Sequence, residues 1–94
     1  PLIRTHPMSN KKSIYTNPNR IDHITGFNDI DSDKLLDEIY EFSFQDKYKY
    51  SHSYEKGDLV IWDNRCTMHK ANSDYDVSNL RIMHRVMLEG EAVF

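Results

Sequence analysis

In two stretches between Tyr48 and Leu88 apolar and polar residues alternate singly, a period that a pleated strand sorts onto two faces and a helix cannot. Tyr48, Tyr50, His52 and Tyr54 alternate with Lys49, Ser51 and Ser53. Leu80, Ile82, His84, Val86 and Leu88 oppose Arg81, Met83, Arg85 and Met87. Between these stretches Glu55-Lys56-Gly57-Asp58 is a turn, and the apolar run Leu59 to Trp62 is placed to pair back as a hairpin. The second half of the chain therefore reads as strands.

The first half is more varied. Residues 1–11 are loop-like, since Thr5-His6-Pro7 and Ser9-Asn10 are turn chemistry and the residue before a proline is pushed away from helix. Ser13 to Asn17 reads as a short strand stopped by Asn17-Pro18-Asn19, and residues 18–31 as a polar connection holding Ile24, Gly26 and Phe27. Leu35, Leu36, Ile39, Tyr40 and Phe42 then recur at helical spacing against Lys34, Asp37, Glu38 and Glu41. Ser32 is the expected N-cap and Asp33 favours the positive end of the helix dipole, so the spacing predicts one helix from Asp33 to Ser43. The class is mainly β with one α-helix.

Composition narrows the function classes. Ninety-four residues make at most one domain, and a chain of this size buries only about two-thirds of the surface it exposes when unfolded. A 38% hydrophobic and 29% charged balance is that of an ordinary soluble domain. The net charge of −3 shows no nucleic-acid footprint. No apolar run approaches the roughly 20 residues of a membrane span, and no secretory apolar segment is visible. One cysteine, Cys66, excludes an internal disulfide framework and suits a reducing cytoplasm. The chain opens on Pro1 rather than methionine, which points to a trimmed chain or a reading frame incomplete at its 5′ end.

The chemistry-bearing residues lie in Gly57-Asp58-Leu59-Val60-Ile61-Trp62-Asp63-Asn64-Arg65, then Met68-His69, then Arg81-Ile82-Met83-His84-Arg85. A lone histidine at a strand end is more often a satisfied polar residue than a ligand. Here His69 follows a long motif and precedes two arginines, a plausible metal ligand followed by an anion clamp. Arg81 and Arg85, four apart on a strand, share a face and sit roughly 13 Å apart at about 3.3 Å per residue. A guanidinium grips a carboxylate through two parallel hydrogen bonds, which a lysine does not reproduce. A solvated face is the bland alternative, but Met83 between them and the apolar face opposite suit a lined pocket. Trp62, Asp63, Asn64 and Arg65 are read as the turn that aims His69. Cys66 is read as a small buried residue, and Ser13 and Ser53 lack a nucleophile's surroundings.

These segments resemble the C-terminal signature of the Fe(II)/2-oxoglutarate-dependent dioxygenases of the taurine dioxygenase and chlorophenoxyacetate dioxygenase (TauD/TfdA) family. Weaker likeness in Arg4-Thr5-His6-Pro7, Lys12-Ser13-Ile14-Tyr15 and Ser32-Asp33-Lys34-Leu35-Leu36 carries the resemblance from about Leu2 to Leu88. It implies a double-stranded β-helix (jelly-roll) barrel of the clavaminate synthase-like kind, of which residues 1–94 would be the C-terminal half. By the same resemblance His69 is the distal histidine of a two-histidine, one-carboxylate Fe(II) centre. Arg81 holds the far carboxylate of 2-oxoglutarate, and Arg85 meets 2-oxoglutarate or the substrate's own anion. His6 belongs to a structural segment and is not a ligand. The family's His-x-Asp/Glu pair is not found in this chain, whose five histidines are followed two residues later by Met8, Thr25, Tyr54, Ala71 and Val86. The implied function is a fragment of a dioxygenase that hydroxylates a small anionic organic substrate, with formation of succinate and carbon dioxide. The alternatives are an inactive half-barrel that self-associates and a metal-free cupin-like small-molecule binder.

Overall fold

A computed structural model describes residues 1–92; residues 93 and 94, the end of the expected 1–94 domain, lie outside the described residues. The order is strand β1 (Ile3–Thr5), strand β2 (Lys12–Ile14) and helix α1 (Asp29–Ser43), followed by one turn of 3-10 helix at Asp46–Tyr48.

β1 and β2 form an antiparallel hairpin in the register Ile3 to Ile14, Arg4 to Ser13 and Thr5 to Lys12. Residues 1–11 are therefore not all loop. Three residues are too few to show an alternation, and it is the partner strand that defines β1. The connection closes where the His6 N–H donates to the Lys11 carbonyl and the Asn10 N–H to the His6 carbonyl, both at 2.8 Å. Asn10 takes φ 55°, a left-handed conformation that asparagine tolerates better than most side chains. Tyr15 extends the pairing by donating its N–H to the Leu2 carbonyl at 2.7 Å. β2 starts and stops earlier than the expected Ser13 to Asn17, because Asn17 instead accepts the backbone N–H groups of Arg20 and Ile21 in a turn. Arg4 is buried, with its guanidinium 5.0 Å from the centre of the Tyr15 ring, a geometry in which the ring's negative face attracts the cation.

α1 begins four residues before the expected start. Asn28 is its N-cap, with its side-chain oxygen accepting the Asp31 N–H at 2.9 Å, and Asp29 and Asp31 occupy the first turn. Ser32 lies inside the helix, fully buried, and its hydroxyl accepts the Ile24 N–H at 2.8 Å. The shielded stripe is Ser32, Leu35, Leu36, Ile39, Tyr40 and Ser43, a regular 3-4 repeat. It packs on residues 16–24, with the Tyr40 hydroxyl 2.8 Å from that of Thr16. Phe42 falls off this stripe, is exposed, and meets Tyr48 with ring centres 5.5 Å apart. Asn28→Ala should cost about 1 kcal/mol through the lost cap. Ser32→Ala, which strands the Ile24 N–H, should cost about 1–3 kcal/mol. Denaturant midpoints of the helical circular dichroism check both, and an unshifted midpoint for Asn28→Ala would put the cap elsewhere.

The expected strands Tyr48 to Tyr54, Leu59 to Trp62 and Leu80 to Leu88 make no ladder among the described residues. Tyr48 instead closes the 3-10 turn, its N–H donating to the Gln45 carbonyl. The turn between the first two is present: Gly57 takes φ 95°, and the Asp58 N–H donates to the Glu55 carbonyl at 3.2 Å. The period-two sides also survive, since His52 packs edge-on against Tyr54 with ring centres 4.7 Å apart. What is missing is an opposing layer. Leu59, Ile61, Leu80, Val86 and Leu88 are 84 to 94% exposed, and Leu36 is the one buried hydrophobic residue among those described. The radius of gyration, 16.3 Å, exceeds the about 12 Å of a compact domain of this length. The described residues thus hold one α-helix and a two-stranded sheet and leave the expected strands without a ladder. A strand ladder needs partners on its edges and a covered apolar face, and these residues supply neither.

Candidate functional site

The segment carrying His69 is built on Asp63. Its carbonyl accepts the Cys66 N–H at 3.3 Å, the Thr67 N–H at 3.1 Å and the Thr67 hydroxyl at 2.6 Å, which winds residues 63–67 into a tight turn. Its carboxylate accepts the Arg65 N–H at 2.8 Å, the Arg65 Nε–H at 2.9 Å on the same oxygen, and Arg65 Nη2 at 2.7 Å on the other. This is the forked guanidinium–carboxylate geometry that gives orientation as well as attraction. Ser13 of β2 donates its hydroxyl to the Arg65 carbonyl at 3.0 Å, and His6 meets the Asp63 carboxylate at 3.0 Å. The turn is thereby tied to the β1–β2 hairpin across more than fifty residues of sequence.

On either side of that turn stand Trp62 and His69, whose ring centres are 4.9 Å apart. The indole N–H donates to the Asn64 side-chain oxygen at 2.9 Å. His69 is exposed, so its imidazole is open to a ligand. Cys66 is exposed as well, which corrects its expected burial: the 63–67 turn directs it outward.

The electrostatics of the turn are lopsided. The hydrogen-bonded Arg65 guanidinium, with His6 second, holds the Asp63 carboxyl well below the usual carboxylate range, and Asp63 raises Arg65 in return. Asp63 is thus more acidic folded than at its ordinary value of 3.8. Its contribution to stability is complete above that value and is lost only as the pH falls through the lower, folded one. The Asp63 side-chain carboxyl carbon shift should keep its ionised value as the pH falls through 3.8 and change only below it. A titration midpoint at the ordinary value would mean that the pair is not formed.

An Fe(II) centre of two histidines and a carboxylate requires three donors around one point. Among the described residues the one group of three donor side chains within mutual reach is His6, Asp63 and Cys66, whose ligating atoms lie within 4.8 Å. His69 is not in it. Nor does its chemistry suit a cation. His6 Nδ1 accepts the backbone N–H groups of Met8 and Ser9, each at 3.2 Å, so the ring hydrogen sits on Nε2 and faces Asp63. The Asp63 carboxylate is already occupied by Arg65. The residues present therefore fit one position of such an iron centre, through His69, and not the whole centre.

Arg81 and Arg85 are both exposed. The Arg81 guanidinium carbon lies over Tyr75 at 4.5 Å from the ring centre, with Tyr54 at 6.0 Å, a cation–π arrangement. Arg81 makes no ion pair or side-chain hydrogen bond among the described residues, so its N–H groups are available to an anion. Tyr75, Val77, Asn79, Arg81 and Met83 line a shallow concavity. Arg85 makes no ion pair among the described residues, and no hydrogen bond or ring contact there joins His69 to either arginine. Sequence reasoning placed Asp63 and Arg65 in a turn and His6 in a structural segment, but did not foresee that His6 and Ser13 hold that turn or that Tyr75 and Tyr54 flank Arg81. The one local signal was the Asp63/Arg65 spacing, which marks a charge pair; nothing nearby in sequence marks its distant partners.

The comparisons bear on what this arrangement belongs to. The model of the family described as "Taurine catabolism dioxygenase TauD, TfdA family" matches residues 1–87. An alpha-ketoglutarate-dependent 2,4-dichlorophenoxyacetate dioxygenase of Burkholderia sp. (strain RASC) is 40% identical over 90 residues, which is 96% of this chain and 30% of the relative. An (S)-phenoxypropionate/alpha-ketoglutarate-dioxygenase of Sphingobium herbicidovorans is 35% identical over 92 residues, 97% of this chain and 31% of the relative. An alpha-ketoglutarate-dependent sulfate ester dioxygenase of Pseudomonas putida is 33% identical over 91 residues, 97% of this chain and 30% of the relative. No solved structure matches. The chain spans about three-tenths of the length of these curated relatives. With the match running from the β1–β2 hairpin through the His69 turn to both arginines, the chain belongs to the TauD, TfdA dioxygenase family.

Proposed function

We propose that this chain is the C-terminal part of an Fe(II)- and 2-oxoglutarate-dependent dioxygenase domain, in which residues 1–94 complete a jelly-roll barrel. The observation that carries the reading is the exposed His69, held beside Trp62 by the Asp63–Arg65 turn and followed by Arg81, which has no ion-pair partner among the described residues. In such an enzyme His69 donates an imidazole nitrogen to the iron. Arg81 pairs with the far carboxylate of 2-oxoglutarate, and Arg85 pairs with the cosubstrate or with an anionic group of the substrate. Bound iron supplies the oxygen chemistry that turns 2-oxoglutarate into succinate and carbon dioxide. The chain's own residues bind, orient and neutralise charge. The three relatives are named for a phenoxyacetate, a phenoxypropionate and sulfate esters, and a small organic anion facing Arg85 fits that range.

The test is succinate formation. A protein form that also carries a His-x-Asp/Glu segment is expected to form succinate from 2-oxoglutarate when loaded with iron. The 94-residue chain alone, with one of three donors, is expected to form none above an iron-and-buffer control. Turnover by the 94-residue chain that disappears in His69→Ala would overturn the assignment of a shared centre. The exposed Leu59, Ile61, Leu80, Val86 and Leu88 favour a second reading for the chain by itself, an inactive half-barrel that self-associates.

A further inference from the structure

We propose that His6, fixed as its Nε2–H tautomer, is a positioning residue for His69. The inference rests on the reading of His69 as a metal ligand, but it concerns residues that this reading leaves unassigned. His6 stands at the end of β1, and both of its ring nitrogens are committed. Nδ1 accepts two backbone N–H groups, from Met8 and Ser9. Nε2, carrying the hydrogen, then donates to Asp63 Oδ2 at 3.0 Å. Two donors converging on Nδ1 leave no room for a hydrogen there, so the tautomer follows from the geometry. The side chain of His6 is 13% exposed, against 34% for Asp63 and 31% for Arg65, which places the histidine on the sheltered side of the knot.

The consequence reaches His69 through Asp63. Backbone hydrogen bonds to the Asp63 carbonyl set the turn, and its two ends carry Trp62 and His69 with their rings in contact. Arg65 can close on Asp63 locally, since they are two residues apart. Among the described residues, the hydrogen bonds that tie that local pair to the hairpin come from His6 and Ser13. Of the two, His6 grips the carboxylate itself, and Ser13 holds the Arg65 carbonyl. An acceptor for the free ring N–H of a metal-binding histidine is a familiar way of aiming it; here the grip lies one step back, on the turn that delivers the histidine.

The full 94-residue chain supplies two spectroscopic readouts that a merely stabilising residue would not move. Long-range nitrogen–proton spectra report the His6 tautomer directly. The ring protons of His69 report its tilted packing against Trp62, the one tryptophan in the chain, through the shift its ring current imposes. The wild-type chain should show the Nε2–H tautomer at neutral pH, with His69 ring protons displaced from unstructured values. In His6→Phe, which keeps a ring and loses both nitrogens, that displacement should collapse while the helical circular dichroism of α1 is retained. In His6→Gln, whose amide N–H can still reach Asp63, it should be largely restored. An Nδ1–H tautomer in the wild type overturns the proposal whatever the variants do. So does an undisturbed His69 shift in His6→Phe, or a failure of His6→Gln to restore it. Should His6→Phe lose its helix, His6→Leu replaces it, with the same expected collapse. Nickel, read by quenching of Trp62, separates the two ideas: nickel binding unchanged by His69→Ala would defeat the ligand reading and leave the tautomer and packing results standing.

Discussion

Arg81→Ala is expected to weaken 2-oxoglutarate binding by about 30-fold to several thousand-fold in a protein form that carries the full set of metal ligands. Truncating one member of a buried charge pair strands the other, at a cost of about 2–5 kcal/mol, and about 1.4 kcal/mol is a factor of ten. The Arg81 guanidinium carbon lies 4.5 Å from the centre of the Tyr75 ring, a cation–π contact that leaves its N–H groups available for that pairing. Arg85 has no such aromatic partner among the described residues, and Arg85→Ala should act mainly on the organic substrate. Titration calorimetry with 2-oxoglutarate, in the presence of iron and the absence of oxygen, compares the two variants. An equal loss, or a loss confined to Arg85→Ala, would exchange or dissolve their roles.

The second large effect is association. Five aliphatic side chains from two of the three expected strands stand 84 to 94% exposed, and burying each is worth roughly 1.5–3 kcal/mol. The same segments carry backbone N–H and C=O groups with no ladder partner, a template for pairing with another chain. The 94-residue chain is therefore expected to sediment as dimers or larger species at tens of micromolar, with strand content rising as it associates. A cooperatively melting monomer at that concentration would show that the chain closes its own sheet, and the half-barrel account would fall.

What could be read from the sequence follows the range of the forces involved. The helix was legible because Leu35, Leu36, Ile39 and Tyr40 repeat at its period, and the turn because Glu55-Lys56-Gly57-Asp58 places a glycine between polar residues, where the backbone does take φ 95°. The helix start was misplaced because capping chemistry occurs twice, at Asn28 and at Ser32. The apolar pattern favoured the second, as Ile30 is exposed and lends the first turn no periodic signal. The strands at Tyr48 to Tyr54 and Leu80 to Leu88 were legible as patterns but not as outcomes, since a ladder depends on partners elsewhere. At the site, the Asp63–Arg65 turn and His69 lie within seven residues and could be seen together. The His6–Asp63 bond spans 57 positions and the Ser13–Arg65 bond 52, and no local pattern encodes a pairing of that kind.

The most direct test of the central assignment is His69→Ala in an iron-loaded protein form that spans both a His-x-Asp/Glu segment and this chain. Bound iron and succinate release are measured on the same samples. The assignment predicts that the variant loses most of its iron and forms no succinate above background, while its helical circular dichroism is unchanged. Full iron content and undiminished succinate formation in His69→Ala would contradict it.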